Sequence, residues 1–355
     1  MFLNAKMLFK GQYMVTDLKS ILNTWYPNRD NQEWVLATLY KIEGSSYRKL
    51  GAMMLISSLG ERLGMLSGGC LEADIQRHAK QVMSTLSSKT ISYDATDEDD
   101  LTFQLGIGCG GIVHILLQPI HKANDYLQLE LVSKALNENK PGRYLQQVSP
   151  ILPAGSGVFT QNDELHGLSM NRKAQLVELQ GATCLQTSIY PPPHLLIVGG
   201  GADAVPVYTF AKQLGWSVTV WDTRAANAKR QYFKNADAIL RITPSELKEY
   251  CITHKVDAAI LMAHSVELDA STLAQFKDVP FKYIGLLGPK HRRKQVLEHA
   301  NTHVSQIKSP VFGPVGLNLG GDSPESIALS LISEIHAVLC DKDAQSLSHW
   351  GQEPC

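Results

Sequence analysis

The stretch His194-Leu195-Leu196-Ile197-Val198-Gly199-Gly200-Gly201-Ala202-Asp203-Ala204 decides the fold of the second half of this chain. An apolar run enters a G-x-G-x-x-A turn, and a helical pattern follows as far as Gly215. Strand, tight turn and helix in that order give the motif its context. Gly199 permits the turn, Gly201 lets a phosphate approach the backbone, and Ala204 lets the helix pack closely on the strand. The next strand ends at Asp222, about 20 residues further on, where an acid for a ribose is expected.

Downstream the alternation continues. Leu195–Val198, Val218–Trp221, Ala238–Leu240, Ala258–Met262 and Lys282–Leu286 read as strands, with helical segments between most of them. This predicts an α/β, Rossmann-like, doubly wound parallel sheet. Such sheets bind ligands at their C-terminal edge. His264 falls there and is a candidate ligand contact or proton-transfer group, with a structural histidine as the alternative. Gly285 to Gly288 also falls there and leads into Lys290-His291-Arg292-Arg293-Lys294. That turn suits a phosphate at a helix N-terminus, or is simply a solvated basic face. A last helix is expected near Ser323–Leu339, capped by Ser323 with Pro324 behind it. Its apolar stripe reads Ile327, Leu331, Ile335 and Val338.

Upstream, Pro191-Pro192-Pro193 is a stiff extended linker. It divides an N-terminal domain at 1–190 from the Rossmann-like domain at 191–340, with a tail at 341–355. The N-terminal half mixes its elements as an α+β domain. A helix is expected at Tyr13–Trp25 and a strand at Trp34–Ile42. A hairpin (Ala52–Ser57, Arg62–Leu66) turns at Leu59-Gly60. A helix after Cys70 carries Leu71, Ile75, Ala79 and Val82 on one face. Ile112–Leu117 reads as a further strand. Gly155–Thr160 reads as a strand entering or leaving this domain's sheet, and Leu168–Leu179 gives only a weak signal. Asp97-Glu98-Asp99-Asp100 reads as a solvated acidic turn rather than a cation loop.

Two glycine–cysteine loops interrupt this domain: Ser67-Gly68-Gly69-Cys70-Leu71-Glu72 and Gly108-Cys109-Gly110-Gly111. The first opens a helix, where free N–H groups and the dipole favour an anion. The same place lowers a thiol's pKa at Cys70, and Glu72 partly opposes that. Cys109 sits among glycines ahead of a strand. A third loop, Gly44-Ser45-Ser46-Tyr47-Arg48, offers hydroxyls and a guanidinium suited to bidentate phosphate contact. The three together point to one ligand site in which Ser45, Ser46, Arg48, Gly68, Gly69, Cys70, Glu72, Cys109 and Gly110 take part. On the Rossmann side the candidates are Gly199, Gly201, Ala204, Asp222, His264, Gly285 and Gly288.

Composition bounds the rest. The chain has 355 residues, 44% hydrophobic and 19% charged, with a formal net charge of -1. That balance implies no general attraction to nucleic acid or to an anionic membrane. No apolar run approaches the roughly 18 residues of a membrane span, and no signal-peptide pattern is present at the start. A cytoplasmic protein is expected. The cysteines (Cys70, Cys109, Cys184, Cys251, Cys340, Cys355) show no C-x-x-C and read as reduced thiols. Cys184, Cys251 and Cys340 read as small buried hydrophobes.

These segments together resemble the XdhC/CoxI family of accessory proteins for molybdenum hydroxylases such as xanthine dehydrogenase. The resemblance rests on Gly44-Ser45-Ser46, Arg48, Gly51-Ala52, Ser67 to Cys70, Glu72 and Gly108 to Gly111. In the second half it rests on the Gly199 loop, Met262 with His264, Tyr283 to Gly288, and Pro314 to Gly320 followed by Ser323-Pro324-Glu325. It implies a chaperone that binds the molybdenum cofactor, as molybdopterin or its dinucleotide form, and aids its sulfuration and insertion. The implied partners are a cysteine desulfurase and the apo-hydroxylase, and a homodimer is allowed. Cys70 and Cys109 become the candidate metal ligands, since thiolates suit a soft metal–sulfur centre. The chain departs from the family pattern at Tyr47, Ala263 and Pro289. The last two remove hydroxyls at the Rossmann edge, where NAD(P) or another nucleotide would sit. Two other readings compete. One is an NAD(P)-dependent oxidoreductase with His264 as acid or base, which leaves the cysteine loops unexplained. The other is a nucleotide-sensing module without chemistry.

Overall fold

A computed structural model describes residues 17–69, 71–94, 111–165 and 174–347. The chain divides into two units, Met1–Pro191 and Pro192–Cys355. The first is built on an antiparallel sheet of β1 (Trp34–Glu43), β2 (Met53–Ser57), β3 (Arg62–Gly64), β4 (Lys89–Asp94) and β5 (Ile112–Ile120), in the order β3-β2-β1-β5-β4. Trp34 to Leu39 are buried one after another. A strand covered on both faces shows such a continuous run instead of alternation.

Helix α1 (Leu18–Trp25) opens the described chain, with Asp17 as its N-cap. The hairpin β2–β3 forms as its turn residues predict. Helix α2 (Glu72–Thr85) covers one face of the sheet. Its Ile75, Ala79 and Val82, together with Leu71, pack against Val35, Ala37, Met54, Ile56, Ile115 and Leu117. The other face is covered by α1 and by α3 (Leu129–Asn137), around Trp34, Leu36 and Leu55.

A second sheet completes this unit. It comprises β6 (Gly142–Ser149), β7 (Val158–Gln161), β8 (Ala174–Leu179) and β9 (Ala182–Ile189), in the order β7-β6-β9-β8. The segment expected to join the first sheet at Gly155–Thr160 is therefore β7 of a separate sheet. The two sheets meet through Leu116, Val148 and Leu185. Beside them Gln146 donates through Nε2 to Thr38 Oγ1 at 3.0 Å and to Gln118 Oε1 at 2.8 Å. The acidic run at 97–100 lies outside the described residues.

The second unit carries a wholly parallel six-stranded sheet. Its strands are β10 (His194–Val198), β11 (Ser217–Trp221), β12 (Ala238–Leu240), β13 (Ala258–Leu261), β14 (Tyr283–Leu286) and β15 (Val311–Phe312). Their order is β12-β11-β10-β13-β14-β15. The chain runs outward from β10 in one direction and returns beside it in the other, the topology of a Rossmann fold. Helices α4 (Ala204–Gln213), α5 (Pro244–Thr253), α6 (Val266–Gln275), α7 (Lys290–His299) and α8 (Pro324–Leu339) complete the unit. Leu247, Leu273 and Val296 of α5, α6 and α7 pack on Leu196, Val198, Ala259, Leu261 and Ile284. Ser323 caps α8 by accepting from Ser326 N. The buried stripe of α8 is Ala328, Leu331, Ile332, Ile335 and Leu339. Ile327, expected in that stripe, is exposed.

Asp222 stands at the end of β11 with its side chain fully buried. Its carboxylate accepts from Gly200 N (2.9 Å), Arg224 N (2.9 Å), Arg224 Nε (2.9 Å), Arg224 Nη2 (2.8 Å) and Asn227 Nδ2 (2.9 Å). Burial opposes its ionisation. The Arg224 side chain, the N–H groups of Gly200 and Arg224, and Asn227 outweigh that and hold its pKa at about 2. A depressed carboxyl stabilises the fold above its unfolded pKa and loses that contribution as the pH falls through the folded value. Asp222→Asn should therefore cost about 2–4 kcal/mol at neutral pH in denaturant melts. The gap between wild type and variant should be complete above an ordinary Asp pKa of 3.8 and close as the pH falls toward about 2. Equal melts at pH 7 would remove this role.

Candidate functional site

In the first unit the Ser67 loop is held by Glu72. That buried carboxylate accepts from Ser67 N at 2.8 Å and from Ser67 Oγ. Ser67 Oγ in turn accepts from Gly69 N and Leu71 N, each at 3.2 Å. Glu72, expected to face the cofactor, thus binds its own loop to the first turn of α2. Gly68 and Gly69 are exposed, and where a Cβ would stand on either, no atom of the other described residues beyond its chain neighbours comes within 4 Å. A ligand can therefore reach this backbone at close range. Cys70 lies outside the described residues.

Gly111, the last residue of the second glycine–cysteine motif, lies against the serine loop. A Cβ on Gly111 would fall 2.2 Å from Ser45 O and 2.7 Å from Glu43 O. Only glycine permits this backbone-on-backbone contact, and it sets Gly111 against the Gly44-Ser45-Ser46 turn. Cys109 and Gly110 lie outside the described residues. Ser46 Oγ donates to Arg48 O at 2.6 Å, which closes the turn on itself. Arg48 lines a small cavity with Gly51, Thr187, Ile189 and Tyr190. Among the described residues, the buried Arg48 Nε and Thr187 Oγ1 have no hydrogen-bond partner, which leaves room for a polar guest in the cavity.

In the second unit the glycine loop sits at the switch point between β10 and β13. A Cβ on Gly199, whose φ is +110°, would lie 2.6 Å from Ala263 Cα and from Met262 O. Ala204 is fully buried, as close helix–strand packing requires. Among the described residues, Gly201 has only Asp203 Oδ1 near its missing Cβ, at 3.1 Å. The ribose acid expected at Asp222 spends both oxygens on the protein. A carboxylate has about four lone-pair positions, and five donors already address this one.

His264 reaches the glycine loop. Its Nε2 stands 2.6 Å from Asp203 Oδ2, and its side chain remains largely exposed. Its φ of +56° is rare for a residue with a Cβ. Asp203 carries no site signal in the sequence: it occupies one of the variable positions of G-x-G-x-x-A, and only folding pairs it with His264. The loop before His264 is fixed from behind. Asp269 accepts from Ala263 N at 3.1 Å and from Arg292 Nη2 at 2.6 Å. Burial pushes the Asp269 carboxyl up, against the pull of Arg292 and the Ala263 N–H.

Gly285 and Gly288 were expected at the ligand edge, yet each has a packing reason. Tyr283 and Val315 fill the space beside Gly285 within β14, and Arg292 Cδ would lie 2.5 Å from a Cβ on Gly288. The basic turn is likewise partly committed. Arg292 serves Asp269, and Arg293 donates to Gly313 O at 3.1 Å. Among the described residues, no group of three or more His, Cys, Asp or Glu could hold a metal. Cys184 and Cys251 are buried. Burial pushes the Cys251 thiol up to about 12.

Comparison with known proteins agrees with this architecture. Residues 195–335 match the XdhC Rossmann domain, and residues 28–94 match the XdhC and CoxI family. A Bacillus subtilis protein, named as a probable xanthine dehydrogenase subunit, is 32% identical over 317 residues, covering 86% of this chain and 93% of its own. The molybdenum cofactor insertion chaperone PaoD of Escherichia coli is 23% identical over 316 residues, covering 88% of this chain and 85% of its own. The crystal structure of a xanthine dehydrogenase from Bacillus halodurans superposes with a TM-score of 0.76 at 28% identity, over 94% of this chain and 98% of that one. The chain belongs to the XdhC and CoxI family.

Proposed function

We propose that this protein is an accessory factor in the maturation of a molybdenum hydroxylase of the xanthine dehydrogenase type. In this reading it binds the molybdenum cofactor, aids its sulfuration and delivers it to the apoenzyme. It works with a cysteine desulfurase, and handling the cofactor in this way is not itself a multiple-turnover reaction. Support comes from the relatives, one of which carries the name of a molybdenum cofactor insertion chaperone.

The structural observation that carries the reading is the open backbone at Gly68-Gly69 beside a tightly tied Ser67–Glu72 turn. It offers room for close approach to the backbone just ahead of a helix start, which suits a phosphate-bearing ligand. When bound, the cofactor would supply a soft metal–sulfur centre together with an anionic phosphate, and thiolates of Cys70 and Cys109 match the former. Ser45 and Gly111, which meet in the structure, would bring the Cys109 loop to the same serine turn. A nucleotide at the Gly199 loop is a separate matter. With Asp222 engaged by five donors, NAD(P) or the cofactor's own nucleotide would have to be held through Gly201, His264 and Asp203.

The test is to load the purified protein with molybdopterin cofactor and to quantify retained pterin by fluorescence after oxidation. Wild type should retain it, and Cys70→Ala and Cys109→Ala should lose most of it. NAD binding is measured in parallel. No retention by wild type, with tight NAD binding unaffected by either cysteine change, would favour the oxidoreductase instead. A glycine pair separates ligand space from packing. Gly68→Ala should melt within about 1 kcal/mol of wild type but lose pterin. Gly111→Ala should destabilise by about 2 kcal/mol or more, because its Cβ meets backbone.

A further inference from the structure

Ser92, His114 and Glu43 lie on β4, β5 and β1, three neighbouring strands of the first sheet. Register brings them together. Ser92 and Lys41 stand directly opposite His114 on its two sides, and Glu43 follows Lys41 by two residues on the same face. Ser92 Oγ is 2.7 Å from His114 Nδ1, and His114 Nε2 is 3.1 Å from Glu43 Oε1. Lys41 Nζ lies 2.7 Å from the same carboxylate oxygen. The Tyr40 ring, turned by the bulge between Leu39 and Lys41, packs against the imidazole at 5.9 Å between centroids.

The hydrogen-bonding roles follow from charge. Lys41, and after it His114, hold the Glu43 carboxyl below the usual carboxylate range, so it is an acceptor. Nε2 therefore carries the ring proton, and the lone pair of Nδ1 faces the Ser92 hydroxyl. Nucleophile, base and orienting acid within hydrogen-bond reach form the signature of an activated hydroxyl. His114 is mostly covered, whereas Ser92 is exposed on the edge strand of the sheet. The hydroxyl and the Glu43 carboxylate both reach solvent, on either side of the covered imidazole. The cofactor reading uses none of these three side chains.

We propose that Ser92 is a nucleophile that accepts acyl groups from small carboxylic esters, with His114 as its general base and Glu43 holding the imidazole in register. Ser92 Oγ forms a bond to the ester carbonyl carbon while its proton passes to Nδ1. The bond from that carbon to the alcohol oxygen breaks, and the same proton leaves with the alcohol. Water, deprotonated by His114, then attacks the acyl-serine and releases the acid. Lys41 stays paired with Glu43 and keeps that carboxylate ionised beside the imidazole. The proposal stands apart from cofactor binding.

The full-length protein is incubated with p-nitrophenyl acetate at neutral pH. Release of p-nitrophenolate is followed, and the acetylated residue is located by peptide mass spectrometry. The proposal expects acetyl on Ser92, and none at that position in Ser92→Ala. It expects His114→Gln to slow release about 100-fold and Glu43→Gln to slow it less, all three variants melting like wild type. Acetyl found only on cysteines or lysines, or release unchanged in Ser92→Ala or in His114→Gln, overturns it.

Discussion

The contact of Gly199 with the Met262–Ala263 backbone is the constraint from which the ligand edge of the second unit follows. Strands β10 and β13 are neighbours, and their exits must part at the switch point. With no Cβ on Gly199, the two backbones touch instead. Ala263 then lies where Asp269 can take its N–H, and Arg292 neutralises Asp269. Gly288 leaves the space that the Arg292 side chain fills. The result is a loop pinned on both sides, from which His264 emerges in a strained left-handed pose toward Asp203. Strain of that kind persists where the surroundings over-determine it.

Carboxylates serve as loop fasteners in both units. Glu72 ties Ser67, Asp269 ties Ala263, and Asp222 ties Gly200 to the turn at 224–227. Each is buried and spends its oxygens on backbone N–H groups or on side chains beside them. A charge-assisted hydrogen bond to backbone is among the stronger polar contacts available to a loop. Glycine turns have no side chains with which to pack, so they gain most from such an anchor. The same chemistry explains why acids beside glycine motifs read as ligand-binding in a sequence: a carboxylate that holds a loop and one that holds a ribose look alike until the donors are known.

The sequence shows the second unit almost strand by strand, because a buried parallel sheet writes itself as short apolar runs between helices. The first sheet and α2 are legible for a related reason: Leu71, Ile75, Ala79 and Val82 recur at helical spacing over the mostly apolar first half of β1 and β2. The second sheet is not legible. Strands β7 and β8 are half exposed with no fully buried position, and β6 places a glutamine at one of its buried positions. No apolar period survives there to be counted. At the site, the glycines and acids are legible, but their partners are not. Asp203 with His264, and Ser92 with His114 and Glu43, are pairings between residues from about 20 to more than 60 positions apart, which only strand register reveals.

The buried amide of Gln146 has a consequence for how the two sheets of the first unit recognise each other. Apolar contacts at Leu116, Val148 and Leu185 tolerate sliding, since one methyl group serves nearly as well as another. Gln146 does not. Its N–H groups must find both Thr38 and Gln118, and a shift of one residue along β6 would turn the amide outward and bring Gln147 against the first sheet. The polar cluster contributes little adhesion, yet two donors aimed at fixed acceptors orient β6 over β1 and β5 more narrowly than apolar contact alone would.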